Sequence, residues 1–362
     1  MYGPPSEANR EGGIGRIDVV SWLFRTILDV IGLAGFNYTF DALNKNTTPN
    51  ELNQAFSTIF HSGSNNRMVM LLRIISPVFC YLRTSRDAVA EQAQVVMGRI
   101  GRELLNSSKA AIAQSERGIG DRSLRSRNLL SLLVRANTAA GIPESHRLLQ
   151  DEDVLAQIPT FLVAGHETTS TATTWALFAL VQESEMQTKL REELWSAVSF
   201  ARHSVCIRLY QQLVIVGDEI PLSQPVTDVY GNIHHFIGIQ KGQNVMIPIR
   251  GSEYLQACMG EDAEEFKPDR WLSPPQASNA IPDVWSNQMT FLGGPRACIG
   301  YRFSLVETKA LLSVLIRAFT LELAVPANEI IKKASIVQQP LLKSNPEAGN
   351  VLPTLIKPYT RA

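Results

Sequence analysis

The chain has few cysteines, no excess of charge of either sign and no long uninterrupted apolar run. Its four cysteines, spread over 362 residues, form neither a disulfide framework nor a Cys-x-x-Cys pair, which favours the reducing interior of a cell. Thirty-four Lys and Arg balance thirty-four Asp and Glu, which argues against nucleic-acid binding through a general basic field. Hydrophobic residues make up 45% of the chain and charged residues 19%, a composition typical of folded globular proteins.

A membrane span and an export signal are also missing from the pattern. The most apolar stretch, residues 19–36, is interrupted by Arg25 and Asp29. It therefore falls short of the roughly 18 uninterrupted apolar residues of a span. The N-terminus reads Met-Tyr-Gly-Pro-Pro and has neither the basic head nor the apolar stretch of a secretory signal. We expect a buried helix at residues 19–36 and a soluble intracellular chain.

Most of the first two hundred residues show the hydrophobic period of a helix. Apolar residues at three- and four-residue spacing, or good helix-start residues, predict helices over residues 19–36, 48–60, 68–75, 89–112, 129–134, 151–183 and 186–198. A last helix is predicted over residues 299–319. Pro159 predicts a kink in the long helix.

The hydrophobic pattern changes after residue 199 from helical spacing to short strand-like runs. Short strand-like runs at residues 213–216, 233–239 and 245–249 are separated by glycine-containing turns, and further strand-like pieces lie near residues 336 and 352. A loop-rich stretch covers residues 260–294. These patterns predict a mainly α fold with a small β-sheet part. We expect one domain over residues 1–362, in which 17–198 are helical, 213–290 hold short strands and loops, and 291–319 hold a loop and the following helix.

A glycine-rich loop presents one cysteine directly before the last predicted helix. Residues 291–300 read Phe-Leu-Gly-Gly-Pro-Arg-Ala-Cys-Ile-Gly. Glycine permits positive φ angles, and free N–H groups at a helix start favour an anion, so Cys298 is a candidate nucleophile or metal ligand. A cysteine phosphatase needs arginine where Ser304 stands, and the lysine of a Walker loop and the flanks of a papain-like nucleophile are missing. A buried structural cysteine is the simplest alternative, but it does not explain the spacing of Phe, Gly, Arg, Cys and Gly.

That spacing resembles the haem-binding loop of the cytochrome P450 family, Phe-x-x-Gly-x-Arg-x-Cys-x-Gly, in a fungal-type member. The resemblance implies that Cys298 is the axial thiolate ligand of the iron of haem b and that Arg296 pairs with a haem propionate. It also implies that Phe291 packs beside the sulfur, while Gly294 and Gly300 let the loop fold tightly under the ring. A thiolate ligand pushes electron density onto iron and favours O–O cleavage.

A second segment resembles the oxygen-activation motif of the same family. Residues 164–169 read Ala-Gly-His-Glu-Thr-Thr and lie midway along the long predicted helix. The resemblance implies that Ala164 and Gly165 let the macrocycle and O2 come close, that Thr168 hydrogen-bonds the oxygen being activated, and that Glu167 relays protons as a general acid. A hydroxyl in mid-helix can also bond the backbone carbonyl one turn back. Taken alone, Thr168 also fits the interpretation of a small buried residue.

The histidines near these segments are not expected to bind a metal. His166 lies one helix position away from the haem-facing side, and we expect it to be structural or variable. His234 and His235 are adjacent on a predicted strand and therefore point to opposite faces, which argues against a shared metal site.

Two parts of the family pattern are missing from this sequence. The family carries an N-terminal region, with a membrane anchor and the first sheet, before the helix that corresponds to residues 19–36. It also places a Glu-x-x-Arg helix before the strands, and its glutamate pairs with the arginine of a Pro-x-Arg segment, here Arg270. No Glu-x-x-Arg spacing occurs between residues 183 and 290. We therefore expect Arg270 to lose its carboxylate and become exposed or locally disordered, and we attribute residues 197–212 to an incomplete or mis-spliced gene model.

The resemblance implies a truncated haem-thiolate monooxygenase. Such an enzyme inserts one oxygen of O2 into a small lipophilic organic substrate, with electrons from an NADPH-cytochrome P450 reductase and no nucleic-acid partner. The rival hypothesis is a non-catalytic remnant that binds haem weakly or not at all, and a helical scaffold protein is a third. The resemblance implies a location on the endoplasmic reticulum membrane through an N-terminal anchor, and we do not expect that anchor in this chain.

Overall fold

The computed structural model describes residues 13–44, 51–52, 85–116, 128–138, 151–196, 210–247, 249, 259–263, 265–281, 283–333 and 337–360. Helices dominate these residues, and the strands form small antiparallel sheets, which confirms the mainly α fold class. Contacts divide the chain into two compact units. We call Val19–Ser170 the helical unit, and Met1–Asp18 together with Thr171–Ala362 the mixed unit. The single-domain organisation stays a prediction.

The helical unit is built from amphipathic helices that share one apolar core. Its described helices are α1 (Val19–Phe36), α2 (Ser85–Glu116), α3 (Leu129–Thr138) and the Asp151–Ser170 part of α4 (Asp151–Gln182). The core is formed by buried apolar side chains from all four, among them Leu28, Ile31, Met97, Ile100, Leu130, Val134, Val154, Ile158 and Leu162. The helices predicted at 19–36, 89–112, 129–134 and 151–183 are therefore confirmed, while the predictions at 68–75 and over most of 48–60 lie outside the described residues.

Helix α1 is long and apolar enough to cross a membrane, with a mean hydropathy of 1.6 over 18 residues. In this structure it packs as a core helix, and eight of its residues are buried. The Asp29 carboxylate accepts hydrogen bonds from the backbone amides of Ala42 and Leu43, at 3.0 and 3.3 Å. A Cβ at Gly32 would lie 2.5 Å from the ring of Phe40, so glycine lets the following chain fold back onto the helix. These contacts confirm the prediction of a buried helix.

The mixed unit combines helices with short strands. Its helices are the Thr171–Gln182 part of α4, α5 (Ser184–Ser196) and α6 (Tyr301–Ala318). The strands are β1 (Gly15–Asp18), β2 (Tyr210–Leu213), β3 (Asp218–Thr227), β4 (Ile233–Ile239), β5 (Asn244–Ile247), β6 (Phe319–Leu323), β7 (Ile330–Lys333), β8 (Gln339–Leu342) and β9 (Pro353–Pro358). They form a three-stranded sheet in the order β1-β9-β6 and the antiparallel pairs β2-β5, β3-β4 and β7-β8. In the three-stranded sheet Ile17 is opposite Thr354, and Leu321 is opposite Ile356.

One strand prediction was wrong, and one long strand was missed. The strand predicted at residues 213–216 instead ends at Leu213, and the long strand β3 was not predicted at all. Strand β3 contains Pro221 and Pro225, which normally argue against a strand because proline cannot donate to the ladder. The structure accommodates them with a register shift between Pro221 and Val226 opposite β4. The strand predicted at 233–239 is confirmed.

Candidate functional site

The cysteine loop, residues 291–300, is irregular backbone that leads into α6. Short 3₁₀ turns at Met289–Phe291 and Gly294–Arg296 reverse the chain. The backbone amide of Cys298 donates to the carbonyl of Phe291 at 2.8 Å and closes the loop on itself. Gly300 is the N-cap of α6, so the thiol lies close to the N-terminus of an 18-residue helix.

Two residues of the cysteine loop have a positive φ. Gly294 has a φ of +68° with open space around it, so the backbone conformation, not crowding, favours glycine there. Leu292 has φ and ψ of 59° and −176°, a region that only glycine populates readily. Holding a leucine there costs on the order of 1–3 kcal/mol. The loop that presents Cys298 therefore stores backbone strain.

Aromatic contacts and an aspartate hold both ends of the cysteine loop. The ring of Phe291, which is buried, lies 5.7 Å from the ring of Trp285 and 6.0 Å from that of Tyr301, the first residue of α6. The Asp283 carboxylate accepts a hydrogen bond from the backbone amide of Asn287 at 2.5 Å, in the turn just before the loop. The start and the end of the loop are thus tied to one aromatic cluster.

The side chains of the cysteine loop fit a planar anionic cofactor such as haem. Cys298 is exposed and forms no disulfide, and it is the one cysteine among the described residues. Arg296 is exposed two positions before it, and the Cβ positions at Gly294 and Gly300 meet nothing within 4 Å. An accessible thiol, a nearby cation and open space beside the loop are what an axial thiolate and a carboxylate-bearing ring require. Within the described ranges, no group of three or more His, Cys, Asp or Glu could hold a metal ion.

The far end of α6 is held by a buried arginine of α5. Arg191 is 4% exposed. Its guanidinium donates to the carbonyls of Ile316 and Phe319 at 2.8 and 3.0 Å, and its cation lies 4.3 Å from the ring centre of Tyr359. Burial lowers the pKa of the Arg191 guanidinium. A positive charge at the last carbonyls of a helix stabilises that helix, so the element that follows Cys298 is anchored at its C-terminus.

A buried glutamate lies on the same helix and was not predicted from the sequence. Glu307 is 6% exposed, and neither of its carboxyl oxygens has a hydrogen-bond partner in the part of the chain that the structure describes. Desolvation by burial raises the pKa of Glu307 to about 8. No sequence pattern marks Glu307 as buried, because a single glutamate on an amphipathic helix usually lies on the solvated face.

Residues 164–169, which resemble an oxygen-activation motif, lie in regular helix in the helical unit. The Thr168 hydroxyl donates to the carbonyl of Ala164 at 2.5 Å, which confirms the alternative partner noted from the sequence. The Ser170 hydroxyl donates to the carbonyl of Glu167 at 3.0 Å. Ala164 is exposed, whereas Thr168 and Glu167 are half-buried, so the strip of α4 that carries Ala164 and Thr168 is only partly covered.

Gly165 has a packing reason to be glycine. A Cβ at this position would lie 3.1 Å from Cδ1 and 3.3 Å from Cγ1 of Ile31 on α1. These distances are tight, so a larger residue would push α4 away from α1. The cofactor-binding role of Gly165 stays a prediction, and its small size is explained in part by contacts inside the helical unit.

His166 packs inside the helical unit, whereas His234 lies on an exposed hairpin. His166 is 3% exposed; its Nε2 lies 3.0 Å from the carbonyl oxygen of Phe24, and the two rings meet edge to face at 3.7 Å. His234 Nε2 lies 2.9 Å from the Asp228 carboxylate on an exposed hairpin. The hydrogen bond from His234 and those from Asn232 lower the pKa of Asp228.

The prediction that Arg270 loses its carboxylate partner was wrong. Arg270 Nη1 lies 2.5 Å from Oδ1 of Asp262, only eight residues earlier, and its side chain is 11% exposed. The physical reason is a tight turn that starts at Gly260, which has a φ of +93° and reverses the chain so that Asp262 reaches the guanidinium.

The residues predicted to be functional are thus distributed over both units. Ala164, Gly165, Glu167 and Thr168 belong to the helical unit, and the cysteine loop belongs to the mixed unit. Within each unit they lie on one short segment, and their catalytic and cofactor-binding roles stay predictions.

Comparison with known proteins gives one consistent family. The family model for cytochrome P450 matches residues 6–218 and 232–344. Cytochrome P450 monooxygenases 205 and 128 of Postia placenta are each 48% identical to the chain, over 98% and 97% of it and 69% and 68% of their own length. Cytochrome P450 monooxygenase claQ of Ampulloclitocybe clavipes is 32% identical over 92% of this chain and 65% of its own length.

Proposed function

Because the chain belongs to the cytochrome P450 family of haem-thiolate monooxygenases, we propose that Cys298 supplies the axial thiolate to the iron of haem b. The observation that carries this proposal is the exposed thiol of Cys298 at the end of a braced loop, directly before α6. When bound, haem supplies the activation of O2, which a thiolate ligand promotes.

The neighbours of Cys298 bind and orient the cofactor. Arg296, an exposed cation, pairs with a propionate through charge-assisted hydrogen bonds. Gly294 and Gly300 leave open space for the edge of the ring. Phe291 keeps its place in the aromatic cluster and holds the carbonyl that closes the loop on the Cys298 amide.

The motif in α4 handles oxygen and protons. Thr168 would donate a hydrogen bond to bound O2, because a rotation of its side chain can release its hydroxyl from the Ala164 carbonyl. Glu167, half-buried beside it, holds and delivers the proton as a general acid. Ala164 is small and exposed, so it leaves the approach to Thr168 open.

The substrate in this proposal is a small lipophilic organic compound, and one oxygen of O2 is inserted into it. The electrons come from an NADPH-cytochrome P450 reductase. Family membership supports both the substrate class and the reductase. The neutral net charge does not favour a nucleic-acid partner. Members of the family are often membrane-bound, and α1 is the candidate apolar helix within the described residues.

The proposal is tested by a carbon monoxide difference spectrum of the full chain. The protein is incubated with haem, reduced and exposed to carbon monoxide, and a strongly red-shifted Soret band reports thiolate-bound haem. Cys298→Ala is expected to abolish that band completely, because no other group takes the place of the thiolate. Cys258→Ala is the matched control and should leave it unchanged. Failure of the wild-type chain to take up haem would favour the non-catalytic alternative. A band unaffected by Cys298→Ala would mean that another cysteine supplies the thiolate and would overturn the assignment of Cys298.

A further inference from the structure

The Arg270 loop, defined as residues 259–263 and 265–272, holds a half-buried cation although the sequence lacks the usual source of its counter-charge. No Glu-x-x-Arg spacing occurs between residues 183 and 290. The structure nevertheless gives Arg270 a carboxylate partner within its own loop. We propose that Asp262 is the positioning residue for Arg270 in this chain and takes the place of the glutamate of the family pattern.

The guanidinium of Arg270 donates hydrogen bonds to both the side chain and the backbone of Asp262. Nη1 donates to Oδ1 of Asp262 at 2.5 Å and to the carbonyl of Met259 at 2.6 Å, and Nη2 donates to the carbonyl of Asp262 at 2.6 Å. The planar fork of arginine suits such convergent acceptors better than a lysine ammonium does. The three bonds close the loop around the arginine side chain.

The backbone of the loop is shaped to bring Asp262 to Arg270. Gly260 has a φ of +93°, which glycine adopts most readily, and a Cβ there would lie 3.4 Å from Oδ1 of Asp262. The amides of Ala263 and Glu265 donate to the carbonyls of Gly260 and Asp262, at 3.1 and 2.9 Å. The turn and the ion pair therefore support each other.

A second cation shares the same carboxylate. Lys267 Nζ lies 2.7 Å from Oδ2 of Asp262 and 3.0 Å from Oε2 of Glu265. The hydrogen bonds from Lys267 and from Arg270 lower the pKa of Asp262 to about 2. The carboxylate is therefore ionised at neutral pH and faces two positive groups, whereas Glu265 contacts Lys267 alone.

Polar contacts link the Arg270 loop to the helix that follows Cys298. Asp269, beside Arg270, pairs with Lys189 of α5 at 2.8 Å. Arg191, on the same helix, donates to the carbonyls of Ile316 in the last turn of α6 and of Phe319, the residue that caps it, and α6 begins just after Cys298. The step from Asp262 to haem binding rests on the proposed function of Cys298, whereas the step from Asp262 to Arg270 does not.

Hydrogen exchange of the full chain tests the first step without haem. The reporters are the amides of Ala263, Glu265 and Arg270, which are hydrogen-bonded inside the loop. Asp262→Asn keeps the shape but removes the charge, and we expect these amides to exchange about tenfold faster at neutral pH. Glu265→Gln removes a carboxylate that does not touch Arg270 and should leave exchange unchanged.

Two further variants keep the test decisive. In the double variant Asp262→Asn with Arg270→Gln, the reporter amides should exchange no faster than in whichever single variant exchanges faster, because both substitutions remove the same interaction. Arg270→Lys keeps the charge but not the fork, and it should give an intermediate increase even if Asp262→Asn does not fold. Additive effects, or an unchanged rate in Asp262→Asn, would overturn the proposal.

The second step is measured on haem-loaded protein. Asp262→Asn should lower the share of bound haem that shows the red-shifted carbon monoxide band, and Glu265→Gln should not. An unchanged share alongside faster exchange would refute the link to Cys298. If the wild-type chain takes up no haem, the proposed function fails, and the exchange rates still decide whether Asp262 positions Arg270.

Discussion

The motif in α4 and the segment around Cys298 satisfy their polar groups in different ways. In α4 the hydroxyls of Thr168 and Ser170 donate to carbonyls of the same helix. Around Cys298 the preceding turn depends on the Asp283 carboxylate, and the buried carboxyl of Glu307 has no partner among the residues described. The α4 motif thus satisfies its hydroxyls within its own helix, whereas the turn before Cys298 and the buried Glu307 of α6 depend on their tertiary surroundings. Substitutions should therefore change stability more around Cys298 than in the α4 motif.

The largest effect in this comparison is expected for Glu307→Gln. Because burial raises the pKa of Glu307 from 4.5 to about 8, the folded protein keeps a proton that the unfolded chain releases. The free energy of unfolding of the wild-type protein should thus fall as pH rises between these values, by on the order of 4 kcal/mol from this group. Glu307→Gln should remove that dependence. Urea unfolding at pH 5 and pH 8 measures it.

The matched control for this measurement is Glu322→Gln, since Glu322 is an exposed glutamate on β6. It should keep the pH dependence of the wild-type protein. An equal fall in stability with pH in Glu307→Gln and in the wild-type protein would show that Glu307 is not the group responsible.

An intermediate effect is expected at Leu292, where the cysteine loop is strained. Glycine normally destabilises a protein relative to alanine, but at Leu292 it relieves the positive φ that alanine retains. We expect Leu292→Gly to be more stable than Leu292→Ala by about 1 kcal/mol, although both lose the leucine side chain. Thermal unfolding of the two variants compares them directly. Greater stability of the alanine variant would mean that the loop is not strained at this residue.

The smallest effect on stability is expected for Thr168→Val. Valine keeps the branched shape and loses only a hydrogen bond to a carbonyl of the same helix. The free energy of unfolding should change by less than about 1 kcal/mol. Thr168→Ser, which keeps the hydroxyl, is the control, and chemical unfolding is the measurement. If Thr168→Val instead lowers the free energy of unfolding by as much as the pH-dependent change expected from Glu307, the α4 motif depends on its tertiary surroundings.

The helices were the part of the fold that could be predicted best. The bounds of α1 agree with the prediction at both ends, and α6 begins two residues later than predicted and ends one residue earlier. Strands were harder, because β1 pairs with β9 across almost the whole chain and no local pattern marks that pairing. The prolines of β3 concealed a strand that only its partner β4 stabilises.

The candidate site, like the fold, could be predicted from the sequence only in part. Its residues were identified from spacing, and the structure shows Cys298 exposed at the start of a helix and Thr168 in mid-helix as expected. The partner of Arg270 was predicted wrongly, since an ion pair across eight residues depends on the turn at Gly260. The burial of Glu307 could not be predicted, since one helix does not reveal what covers it.

The sequence by itself determined where the helices lie, which cysteine ends a glycine-rich loop and which hydroxyl follows one turn after Ala164. These properties depend on neighbours within three or four residues. The tertiary structure alone decided that Asp262 holds Arg270, that Ile31 limits the size of residue 165 and that Glu307 is removed from water. Those outcomes depend on which distant surfaces meet when the chain reverses direction and packs, and no local spacing encodes that choice.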